Sequence, residues 1–118
     1  MKHKTAELEG ELLDTAVALA LGIQPNLRHK GKPLTDCYLI PFDTGPSEGS
    51  AGDIFQPSTR WDHGGPIIER AKINTFWHEG RGRWCADKDD LGLDGPTLLI
   101  AAMRAYVTSV FGEEVEIP

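Results

Sequence analysis

Few side chains in this sequence stand at the spacing of a reactive centre. Gly45-Pro46-Ser47-Glu48-Gly49 matches the Gly-x-Ser-x-Gly pattern of a nucleophile elbow, in which a serine is presented on a sharp strand-to-helix turn. An elbow must lead straight into a helix, and Gly49-Ser50-Ala51-Gly52 is a poor helix start, so the segment reads as a solvated glycine loop. Asp87-Lys88-Asp89-Asp90-Leu91-Gly92 opens like a calcium-binding loop. Calcium needs oxygen at the fifth position and a bidentate carboxylate at the twelfth, where this chain has Leu91 and Leu98. The expectation is an acidic turn, with Asp94 capping the helix that follows. His63, His78, Cys37 and Cys85 are soft-ligand types without Cys-x-x-Cys or His-x-x-x-His spacing, and neither a metal nor another cofactor is expected. His78 reads as a strand-end residue beside Glu79, and the cysteines as small hydrophobes.

Three surfaces remain as binding candidates. Arg28, His29, Lys30 and Lys32 form a basic cluster that Arg60, Arg70, Lys72, Arg81 and Arg83 could extend into a phosphate-contacting face. A net charge of -6 opposes it, and no helix-turn-helix or RNP motif appears, so nucleic-acid binding stays a minor alternative. Gly64-Gly65-Pro66 could expose backbone N–H groups to an anion with Arg60 or Arg70 nearby; the simpler reading is that the glycines allow close packing against the sheet. Trp61, Trp77 and Trp84 could line a ligand surface, but aromatics of this size usually fill the core of a small domain. A small-ligand or enzymatic site would use Trp61, His63, Gly64, Gly65, Arg70 and His78, and requires a pocket that joins them.

The elements that must position these residues follow from periodicity. At 118 residues, 40% hydrophobic and 25% charged, the chain is one folded domain that buries roughly two-thirds of its unfolded surface. Leu8, Leu12, Leu13, Ala16, Val17, Ala20 and Leu21 mark one helical stripe, with Thr5 as N-cap and Gly22 as terminator. Cys37–Ile40 gives a short edge strand stopped by Pro41, and residues 43–57 are a Gly/Ser/Pro loop. Ser58-Thr59 offers the N-cap of a middle helix, kinked or divided at Pro66. Ile73–His78 and Arg83–Ala86 flank Glu79-Gly80-Arg81-Gly82 as a hairpin; a two-residue turn at Gly80-Arg81 sets Trp77 opposite Trp84. Pro96–Phe111 is a helix with Leu99, Met103, Tyr106, Val107 and Val110 inward and Gly112 at its end. Glu114–Ile117 and Lys2–Lys4 alternate with opposite charges and can pair.

No apolar stretch approaches the roughly 20 residues of a membrane span, the longest being Leu98–Met103 before Arg104. The start is basic but has no apolar signal region, since Glu7, Glu9, Glu11 and Asp14 interrupt it. A cytoplasmic protein with reduced cysteines is therefore expected.

Ser58-Thr59-Arg60-Trp61-Asp62-His63-Gly64-Gly65-Pro66-Ile67-Ile68-Glu69-Arg70 resembles the NinX family of lambdoid phages, as does Gly95-Pro96-Thr97-Leu98-Leu99-Ile100-Ala101-Ala102-Met103-Arg104-Ala105-Tyr106-Val107. Met1–Leu8 and Leu13–Ala18 fit the same pattern; residues 23–57 do not. The resemblance implies a phage-encoded protein made in a bacterial host, transfers no catalytic residues, and points to small phage domains described as α-β-α sandwiches. The expected architecture is α+β: a small, mainly antiparallel β-sheet packed by N- and C-terminal amphipathic helices, with the kinked middle helix alongside. The expected function is an accessory protein that binds a host or phage protein without catalysis. A homodimer is possible if the second half of the C-terminal helix leaves an apolar strip uncovered.

Overall fold

A computed structural model describes residues 2–22 and 56–117. The expected strand at 37–40, the basic cluster at Arg28, His29, Lys30 and Lys32, the Gly-x-Ser-x-Gly segment and nearly all of the 43–57 loop lie outside the described residues. The chain order is β1 (Lys2–Lys4), a 3-10 turn (Thr5–Glu7), α1 (Gly10–Ala20), α2 (Trp61–Ala71), β2 (Asn74–His78), β3 (Arg83–Lys88), β4 (Leu91–Gly95), α3 (Leu98–Phe111) and β5 (Glu114–Glu116). The fold is α+β, as expected, with both of its small sheets antiparallel.

A helix apolar on nearly every side belongs at the centre of a domain, and that is where α3 sits. It packs on all three strands of the β2-β3-β4 sheet and on both α1 and α2. Leu99, Ala101, Ala102, Met103, Ala105 and Val107 are buried along it. The alanines admit close neighbours: a Cβ on Gly95 of β4 would lie 2.9 Å from the Ala101 backbone nitrogen. Thr97 caps the helix, its Oγ1 accepting the Ile100 N–H at 3.1 Å, and Gly112 closes it at φ 86°. Asp94, expected to cap, instead lies in β4, where its carboxylate pairs with Arg81 at 3.4 Å and Arg83 at 3.5 Å.

In the sheet, Trp77 stands opposite Trp84 as expected, but the turn differs. His78 accepts N–H bonds from Arg81 at 3.2 Å and Gly82 at 2.9 Å, and the left-handed residue is Gly82 at φ 63°, giving a four-residue loop in the same register. The acidic turn is present, with Asp89 at φ 51° and Asp90 at φ 68° between the paired Lys88 and Leu91. Two consecutive left-handed residues make it a hairpin turn, and it leads into a strand, β4, that the sequence did not announce.

The termini pair as expected, Lys2 with Glu116 and Lys4 with Glu114. The first helix begins later than its apolar stripe suggests, because Thr5 is used elsewhere: its hydroxyl donates to the Gly112 carbonyl at 2.8 Å and accepts from Thr108 at 2.9 Å. Leu12 lies off the buried face, at 42% exposure, while Leu13, Ala16 and Val17 enter the core. The middle helix is one element with Pro66 inside it rather than two, and its cap position is Arg60, not Ser58 or Thr59. Arg104 ties the molecule together: its Nε donates to the Leu8 carbonyl and its Nη1 to the Asp94 carbonyl, each at 2.8 Å, with Glu9 3.8 Å from Nη2.

Candidate functional site

Five of the six residues of the sequence-derived ligand site, Trp61, His63, Gly64, Gly65 and Arg70, lie on α2, and the sixth, His78, ends β2. His63 is fully buried in α2, and its Nδ1 accepts the Gln56 N–H at 2.9 Å; with that nitrogen accepting, a neutral ring carries its proton on Nε2. His63 therefore pins the chain entering α2. Gly64 is a packing residue, because a Cβ there would lie 2.4 Å from the Pro57 carbonyl oxygen and 2.8 Å from Leu99 Cδ2; what presses on it is α3 and Pro57, not the sheet. Gly65 has open space at its Cβ position. Arg70 is exposed near the end of α2, and His78 is exposed at the β2–β3 turn, where its Nδ1 accepts the Arg81 N–H at 3.1 Å. His63 and His78 thus serve two separate turns.

Trp61 alone of the six borders a described groove. That groove has a volume of about 240 Å3 and is lined by Ser58, Thr59, Trp61 and Thr97–Ile100. Two helix starts meet there: the first residue of α2 supplies the indole, 58% exposed, and the first turn of α3 supplies an apolar wall ending in buried Leu99. Arg60 grips Asp62 on the flank, with Nη2–Oδ2 at 2.7 Å and Nε–Oδ1 at 3.1 Å. Burial is the largest single influence on the Asp62 carboxyl and opposes its ionisation, but the Arg60 hydrogen bonds, joined by the nearby His63 and the Arg60 charge, together outweigh it and hold the carboxyl below its ordinary range.

Sequence reasoning passed over the residue that positions this groove from beneath. Asp14 is buried in α1, and its Oδ1 accepts the Ser58 N–H at 2.8 Å. Burial pushes its pKa up to about 6, hydrogen bonds from Ser58 draw it partly back, and Glu11 adds a smaller upward push. The one available signal was an acid directly following core Leu13 in the apolar stripe. The tryptophans, expected in the core, are not all there. Trp77 is 46% exposed beside the 42% exposed Phe76, and only Trp84 packs on the core cluster, meeting Trp77 edge-on with centroids 5.5 Å apart. Among the described residues, no three His, Cys, Asp or Glu side chains are grouped as metal ligands, and no helix is long and apolar enough to cross a membrane. Cys85 carries a free, buried thiol.

No match is found among curated proteins. A family model does match, over residues 4–110, and takes in α1, α2, the three-stranded sheet and nearly all of α3. On that match the chain belongs to the family described as Bacteriophage P22, NinX.

Proposed function

We propose that this NinX-family chain is a phage or prophage accessory protein that binds a host or phage protein through non-catalytic contacts, with the Trp61 groove as the contact surface. The observation that carries the reading is a tryptophan 58% exposed at the mouth of a groove whose other wall is apolar. Large aromatics set in pockets dominate binding energy at protein interfaces, and the core of this domain is closed without Trp61. Both long segments that carry the family resemblance contribute to the groove, Ser58–Trp61 from one and Thr97–Ile100 from the other.

The test is capture from lysate of phage-infected host cells with the wild-type chain and with Trp61→Ala side by side. A stoichiometric partner held by the first and lost by the second, with thermal stability unchanged, is the expected result. Recovery of nothing above background, or equal recovery by both, refutes the reading. The small-ligand or enzyme alternative draws no support from the separate duties of His63 and His78, and the nucleic-acid alternative rests on Arg28, His29, Lys30 and Lys32, outside the described residues.

A further inference from the structure

The strand order β2-β3-β4 leaves β2 at an edge that no other described strand pairs with. Alternate backbone N–H and C=O groups of an edge strand point outward, and natural edges are blunted by lysine, proline, bulges or a covering element. Asn74-Thr75-Phe76-Trp77-His78 contains no lysine or proline, and its register against β3 runs without a bulge. The opposite edge is different: Leu91, Gly92 and Leu93 of β4 share a groove with Lys4, Thr5, Ala6, Glu113 and Glu114, so the terminal ribbon stands alongside it.

We propose that β2 pairs antiparallel with β2 of a second copy of this chain, centred on Phe76, to make one continuous six-stranded sheet. This surface is separate from the Trp61 groove and independent of the reading above. The strand is complementary to itself when reversed. With Phe76 opposite Phe76 of the other copy, Thr75 faces Trp77 and Asn74 faces His78, so aromatic meets aromatic, aromatic meets β-branched, and no like charges are opposed. Phe76 and Trp77 are already 42% and 46% exposed on opposite faces, and pairing covers both. Charge selects the direction. Lys72 precedes the strand and Glu79 follows it, both exposed; in the antiparallel register Lys72 falls opposite Gly80 and Glu79 opposite Ile73 of the other copy, whereas in-register parallel pairing sets lysine beside lysine and glutamate beside glutamate.

Sedimentation velocity and cross-linking test this together. The wild-type chain is expected to dimerise at high micromolar concentration and Phe76→Lys to be monomeric. Directly opposed antiparallel residues have Cα atoms about 4.5–5.5 Å apart, within disulfide range, so Phe76→Cys under mild oxidation should give a 76-to-76 link identified by mass spectrometry. That link remains informative even if Phe76→Lys fails to fold. A wild-type monomer at all concentrations overturns the proposal, as does a dimer that survives Phe76→Lys, for instance one held through exposed Val110 and Phe111. Cross-links that avoid position 76, or β2 pairing only with a different protein's strand, overturn it equally.

Discussion

Arg104 and Asp14 each place a charged group at 6% exposure, and each is held by backbone rather than by a full ion pair. Replacing Arg104 with Met keeps the bulk but strands the carbonyls of Leu8 and Asp94, which now accept at 2.8 Å. Two buried acceptors without donors should lower unfolding free energy by about 3 kcal/mol in a denaturant titration, and Arg104→Lys, lacking the fork, should recover only part of it. Asp14 behaves in the opposite sense. Its folded pKa, about 6, lies above the ordinary 3.8 because of burial, so the folded state holds the proton more tightly than the unfolded state. That stabilisation is complete below about pH 4 and is lost as pH rises through about 6. Asp14→Asn keeps an oxygen for the Ser58 N–H and has nothing to ionise. It should exceed wild-type stability at pH 8 by about 1–2 kcal/mol and converge with it near pH 4; a difference that stays flat across that range contradicts the assignment. Gly64→Ala must move the Pro57 carbonyl or Leu99, and a loss of about 2–3 kcal/mol is expected in the same assay.

Among the elements, the β3–β4 turn is built from the less suitable residues for its shape. Asp89 and Asp90 both adopt φ above +50°, a conformation that Asn-Gly takes with less strain in two-residue hairpins. The double change Asp89→Asn with Asp90→Gly should therefore raise stability by about 0.5–1 kcal/mol, read as an upward shift in Tm. This turn also marks where the sequence stopped being informative. The helices α1 and α3, the β2–β3 register and the terminal ribbon follow from periodicity and charge, which act within or between short segments. β4 does not: Leu91-Gly92-Leu93-Asp94-Gly95 has no β-branched or aromatic residue and is held by pairing with β3 and by Gly95 against Ala101. The start of α1 was misjudged for the same reason, since the hydroxyl of Thr5 is taken by Gly112 and Thr108 from the far end of the chain. Long-range partners decided both cases, and local pattern carries no trace of them.

At the scale of the whole molecule, whether an aromatic is core or surface depends on how the helices close, which explains why the candidate site was only partly legible. The sequence marks the Trp61–Arg70 segment as candidate ground, and α2 turns its His63 and Gly64 inward to Gln56, Pro57 and Leu99 and leaves Trp61 outside. The three tryptophans consequently separate stability from recognition. Trp84 packs on the core cluster, so Trp84→Ala should cost about 3 kcal/mol. Trp61→Ala, at a site 58% exposed, should stay within about 0.5 kcal/mol of wild type. In Trp77→Phe/Trp84→Phe protein, Trp61 is the sole indole, and its fluorescence should be readily quenched by acrylamide in the free chain and protected when a partner fills the groove. A Trp61→Ala variant that unfolds early would place the indole in the stabilising framework, while easy quenching that persists in the complex would move the contact surface elsewhere on the molecule.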